Sequence, residues 1–109
     1  MARNDMRQVL DEEIDDKSSS YVFKNAYEVI RTAATAHMAK KGYNPYFHTV
    51  VVAYLKDSLS FAEHKVSKFN KFRKLRNNIQ YRAEKATTKE AREIVEMMQE
   101  TVPKIERKL

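Results

Sequence analysis

Between Lys65 and Lys85 the chain carries eight cations, Lys65, Lys68, Lys71, Arg73, Lys74, Arg76, Arg82 and Lys85, against the single acid Glu84. Several cations along one segment raise the local concentration of anions, so the first chemistry to consider is phosphate binding. A helical projection at 100° per residue places Phe69, Phe72, Arg76 and Ile79 on one side. Arg76 therefore lies along the apolar stripe, where an unpaired guanidinium is costly. A structural salt bridge, to Glu28 or to an acid of the first helix, is the plain partner. Asn70, Arg73, Asn77 and Tyr81 form an adjacent polar strip at spacings of three and four. Arg73, Arg76, Asn77 and Tyr81 are thus the candidate phosphate-binding residues, and the same strip also reads as the rim of a helical bundle. Aromatic residues interleave with the cations only on the apolar stripe, which argues against a base-stacking platform.

The three histidines offer little catalysis. His37 falls on an apolar stripe, His48 follows Pro45, and His64 faces away from Arg76. None pairs at i, i+4 with a second His or a carboxylate, so no metal site is expected. There is no Gly-rich phosphate loop and no readable Ser-His-Asp set. No cofactor is implied.

The elements that position these residues read as helices. Met6, Val9, Leu10 and Ile14 mark an acidic helix over 4–16, within a short acidic first segment 1–17. Lys17-Ser18-Ser19-Ser20 ends it and supplies N-cap candidates for the next. From Tyr21 to Lys41, Phe23, Ala26, Tyr27, Ile30, Ala33, Ala34, His37 and Met38 recur at three and four. Gly42 and Asn44-Pro45 then stop the helix, and Tyr43, Tyr46 and Phe47 pack the turn. Val50 to Leu55 suits either a strand or a buried helix by pattern. With no second strand to pair with, it reads as a short helix. Ser60-x-x-Glu63 has the capping-box form and opens a helix to about Arg82, with the stripe Ala62, Val66, Phe69, Phe72, Leu75, Ile79. Thr87-x-x-Glu90 is a second box. It opens a last helix with the stripe Ala91, Ile94, Val95, Met98, Val102, Ile105, Leu109, which Pro103 should bend or limit.

The whole is all-α: an up-and-down bundle of four main helices plus one short helix, in a single domain over 1–109. Composition agrees. One Gly and two Pro are too few for the turns of a β sandwich or barrel. A chain 42% hydrophobic and 33% charged is neither a membrane span nor wholly disordered. Without Cys there is no disulfide framework or thiolate metal site. The first twenty residues hold six acids and no long apolar run, so they do not read as a signal peptide. A soluble, cytoplasmic chain is expected. The net charge of +6 is unevenly spread, and one reading of the acidic start is that it packs beside the basic helix.

Lys41-Gly42-Tyr43-Asn44-Pro45-Tyr46-Phe47-His48 with a short apolar helix after it resembles the helix connection of small prokaryotic HEPN domains (higher eukaryotes and prokaryotes nucleotide-binding). Arg73-Lys74-Leu75-Arg76-Asn77-Asn78-Ile79-Gln80-Tyr81-Arg82 resembles the end of their third long helix, and the Thr87 start of the last helix fits too. The resemblance spans roughly residues 21–109. It implies a bundle that dimerises through its long helices with a polar motif at the dimer cleft. Many members are metal-independent endoribonucleases, often toxins of toxin–antitoxin or defence systems. Others serve beside a small nucleotidyltransferase or bind nucleotides or RNA. Their catalytic motif is Arg-x4-6-His, and Arg76-Asn77 matches its first half.

The second half is absent. Positions 81–83 hold Tyr81, Arg82 and Ala83, and neither Arg73 nor Arg82 has a His at that spacing. Metal-free RNA cleavage needs a group that exchanges a proton near neutrality, which suits imidazole and not a phenol of pKa about 10. The expectation is a HEPN-like dimer that binds nucleotide, RNA or a nucleotidyltransferase partner without ribonuclease activity. The alternatives are an endoribonuclease in which Arg76 is catalytic, and a helical protein–protein adaptor. Some relatives offer a motif tyrosine for nucleotidylation, although it follows the His and does not replace it. A homodimer is expected through the helix from Ser60 to Arg82, with Phe69, Phe72 and Arg76 at the interface. The reason is surplus aromatic surface, to which Phe61, Tyr43, Tyr46, Phe47 and Tyr54 contribute.

Overall fold

The computed structural model describes residues 2–40 and 62–107, with side chains from Met6 onward. Among them there are four helices and no strand: α1 (Ala2–Leu10), α2 (Ser19–Lys40), α3 (Glu63–Tyr81) and α4 (Thr88–Arg107). The Gly42 stop, the Asn44-Pro45 turn, His48, the short helix Val50–Leu55 and Phe61 lie outside the described residues, as does Leu109.

Most of the stripes read from the sequence are buried or half-buried faces, although Ala62, placed at the head of the α3 stripe, is exposed. Phe23, Ala26, Tyr27, Ile30, Ala34 and Met38 of α2 meet Ala91, Ile94, Met98, Val102 and Ile105 of α4 in one core cluster, all at 1% exposure or less. α2 is the central helix, packed most extensively on α4 and also on α1 and α3. The pairs Phe23–Phe72 and Tyr27–Phe69, with Lys65–Glu100 and Lys68–Glu93, run α3 antiparallel to both α2 and α4.

α1 is shorter than its apolar pattern suggests and ends at Leu10, six residues before the expected limit at 16. The reason is local competition for backbone groups. The Asp15 carboxylate accepts hydrogen bonds from the backbone N–H of Lys17 (2.9 Å) and Ser18 (2.8 Å). The Ser18 hydroxyl accepts from the Asp15 N–H at 3.0 Å and donates to the Glu13 carbonyl. Val9 is still buried and Met6 and Ile14 pack on the core, whereas Leu10 is 41% exposed.

The serine run does more than begin α2. Ser19 Oγ donates to the Ala86 carbonyl (2.7 Å), and the Ala86 N–H donates to Ser20 Oγ (2.9 Å). Both backbone groups of Ala86 are thereby satisfied from 66 and 67 residues away, which ties the start of α2 to the approach to α4. The Thr87 box forms reciprocally: Thr87 N–H to Glu90 Oε1 at 2.9 Å and Glu90 N–H to Thr87 Oγ1 at 3.1 Å. Ser60 of the first box lies outside the described residues. α3 starts at Glu63 with Ala62 at the N-cap position and no side-chain cap. Pro103 leaves α4 helical to Arg107, whose Nε donates to the Pro103 carbonyl.

α1 packs on α2 and α4, and the described ion pairs of α3 go to Glu28 of α2 and to Glu93 and Glu100 of α4. No described helix is long and apolar enough to cross a membrane.

Candidate functional site

Glu28 and Arg31 stand one turn apart on α2, which lets Arg31 grip the carboxylate twice. Arg31 Nε lies 3.0 Å and Nη2 2.8 Å from Glu28 Oε2. From α3, Arg76 brings Nη2 to 3.2 Å from the other oxygen, Oε1. Of the two partners suggested for Arg76 by its position on the apolar stripe, Glu28 is the one it has. The Arg76 side chain is 18% exposed, and its guanidinium lies 6.0 Å from the Tyr27 ring centroid, within cation–π range. Arg73, one turn earlier, donates from Nε to Asn70 Oδ1 at 3.0 Å.

Two guanidinium groups, those of Arg31 and Arg76, thus share one carboxylate, and Arg73 stands close by on α3. Their field reaches the buried Tyr27 hydroxyl, whose pKa is nonetheless pushed up to about 12. Burial is the main cause and the Glu28 charge adds to it, while Arg76, Arg31 and Arg73 oppose the rise. Tyr27 stays protonated at any physiological pH and is not a base. Two buried atoms of the cluster, Glu28 Oε1 and Arg76 Nε, have no hydrogen-bond partner. The Arg76–Glu28 contact is consequently an ion pair without aligned hydrogen bonds, which leaves donor capacity on the arginine side.

Of the four phosphate candidates, Arg73 and Arg76 come together on the α2 side of α3. Asn77 is half-buried on the next strip, and Tyr81 stands apart at the end of α3. Tyr81 is 74% exposed and accepts only a long 3.4 Å contact from Gln80 Nε2. Arg31 was missed. Its i, i+3 relation to Glu28 was readable, but nothing in the sequence linked that pair to α3. Among the other cations, Lys65 and Lys68 are engaged by Glu100 and Glu93. Glu100 holds the Lys65 ammonium above its ordinary pKa, and Lys65 in turn holds the Glu100 carboxyl below its own.

The aromatic pair assigned to a dimer interface sits inside one chain. Phe69 stacks on Tyr27 with centroids 5.3 Å apart, and Phe72 meets Phe23 edge-on at 5.5 Å. They keep 1% and 5% of their surface, so neither offers apolar area to a second copy. His37 is buried, and His64 is exposed on the α4 side of α3. Among the described residues no three His, Asp or Glu side chains gather to hold a metal. Comparison with protein-family models, curated proteins and solved structures finds no match for this chain.

Proposed function

We propose that this protein is a HEPN-like helical protein that binds the phosphate of a nucleotide or of RNA through Arg31, Arg73 and Arg76, and that it does not cleave RNA. The observation that carries the reading is the imbalance around Glu28: the guanidinium groups of Arg31 and Arg76 share one carboxylate, leaving an excess of one positive charge, and the Arg73 charge reaches the adjoining Tyr27 as theirs do. Two facing helices that concentrate like charge are best stabilised by an anion between them, and guanidinium groups bind phosphate bidentately. The absent motif His supports a binding role, and Tyr27, the phenol beside the cluster, stays protonated at neutral pH. A homodimer and a nucleotidyltransferase partner remain part of this reading.

The test is binding of a labelled single-stranded RNA across a salt series, for the wild type and Arg76→Ala. The wild type is expected to weaken steeply with salt, by a log–log slope of about 0.7 per phosphate contact. Arg76→Ala is expected to lose about tenfold in affinity and to flatten the slope by about one contact. No RNA fragments should form. Salt-independent binding, or none, overturns the phosphate reading; cleavage that Arg76→Ala abolishes overturns the non-catalytic part.

A further inference from the structure

Glu28 has a second side. It also lines a groove of about 280 Å³ between α1 and α2, together with Gln8, Glu12, Tyr21, Asn25 and Thr32. At about 100° per residue, Tyr21, Asn25, Glu28 and Thr32 share one face of α2, with Arg31 and then Tyr27 following around the helix toward α3. The groove and the arginine cluster are therefore neighbours, and the Glu28 carboxylate is the wall between them. Seven residues from Tyr21 to Glu28 span about 10 Å of helix axis, a separation that suits a base at one end and its phosphate at the other.

The lining is specific in kind. Tyr21 is 59% exposed, the largest exposed aromatic surface of α2, and presents a ring on which a planar group can stack. Around it stand the carboxylates of Glu12 and Glu28 and the side-chain amides of Gln8 and Asn25. Carboxylates only accept hydrogen bonds at neutral pH, and each amide supplies one acceptor and two donors. A surface richer in acceptors than donors favours a ring bearing an amino group. Adenine, guanine and cytosine carry one; uracil does not. The volume lies near the lower end for small-molecule sites, roughly 300 Å³, and suits one ring system.

We infer that the α1–α2 groove is a nucleobase pocket, which takes one unstacked amino-bearing base on Tyr21 while its phosphate rests on Arg31, Arg73 and Arg76. This rests on the phosphate reading above and adds base selectivity to it. Two sources share the chemistry, a free nucleoside monophosphate and a nucleotide within a single-stranded RNA.

Titration calorimetry with AMP, GMP, CMP, UMP and ribose 5-phosphate, beside short oligo(A) and oligo(U), separates the possibilities. The expected result is that at least one amino-bearing monophosphate, or oligo(A), binds at least tenfold tighter than its uracil counterpart and than ribose 5-phosphate. Tyr21→Ala at an exposed position and Asn25→Ala at a half-buried one should erase that preference, with the circular-dichroism melt of Tyr21→Ala unchanged. Preference among monophosphates identifies a free nucleotide as the ligand; preference among oligonucleotides alone identifies RNA. Equal binding of every probe, still lost in Arg76→Ala, overturns the base pocket and leaves the phosphate site standing. Binding of none overturns both.

Discussion

Arg76 occupies a position that the helical repeat assigns to the core, and its surroundings answer the resulting electrostatic demand only in part. One carboxylate already held by Arg31 faces it, an aromatic ring lies beneath it, and one buried N–H is left over. That incompleteness makes the residue the first candidate for ligand contact. At the same scale, Asp15 shows a side chain setting a chain path. Its carboxylate is held below the ordinary 3.8 by the backbone N–H groups of Ser18 and Lys17. A carboxyl with a depressed folded-state pKa stabilises the fold fully above its unfolded value, and the effect is lost as pH falls through the folded value. The wild type is thus expected to lose melting temperature below about pH 4, partly through Asp15. Asp15→Asn should melt lower than the wild type at pH 6, with the gap closing toward pH 2. Melting curves followed by circular dichroism check this, and a gap that widens on acidification contradicts it.

At the scale of elements, the last helix is well specified at its start, and the chain is strained after α3. The reciprocal Thr87–Glu90 box fixes the first turn of α4. After α3 the chain reverses through Ala83 with φ of 57°. The N–H groups of Arg82 and Glu84 meanwhile both donate to the Asn78 carbonyl, at 2.9 and 3.3 Å. A left-handed conformation costs an L-residue about 1–2 kcal/mol, a penalty glycine lacks. Glycine's greater freedom in the unfolded chain offsets part of that gain. Ala83→Gly should therefore stabilise the protein by about 0.5–1 kcal/mol in urea unfolding. Destabilisation would mean that the turn does not adopt this conformation in solution.

For the whole molecule, the decisive fact is where the aromatic residues go. Phe69 and Phe72 close the α2–α3 contact of a single chain, so they contribute to folding before any assembly. Phe69→Ala should cost about 3–5 kcal/mol, the usual range for a buried phenylalanine. Phe69→Asp should unfold the chain. In sedimentation at micromolar concentration the wild type is expected to run as a dimer. Phe69→Asp should then give expanded or aggregated material; a compact folded monomer would show that this side chain belongs to an interface after all.

Local spacing was enough to determine the helical class, the buried stripes of α2, α3 and α4, the Thr87 box and the position of Arg76 on its stripe. These follow from a repeat of 3.6 residues and from groups three or four residues apart. That Arg76 needs an acid was legible as well, because a cation on an apolar stripe demands one; the choice of Glu28 over an acid of the first helix was left to the packing. The rest depended on which helix lies against which, and no local pattern encodes that. Ser19 and Ser20 read as caps and instead reach Ala86. The stripe carrying Met6 to Ile14 read as one helix, but Asp15 and Ser18 take up the backbone groups beyond it. Arg31 joined the cluster only when α3 packed on α2, and that same packing placed Phe69 and Phe72 inside the chain. Burial and charge pairing are settled between segments far apart in sequence, so only the tertiary structure decides them.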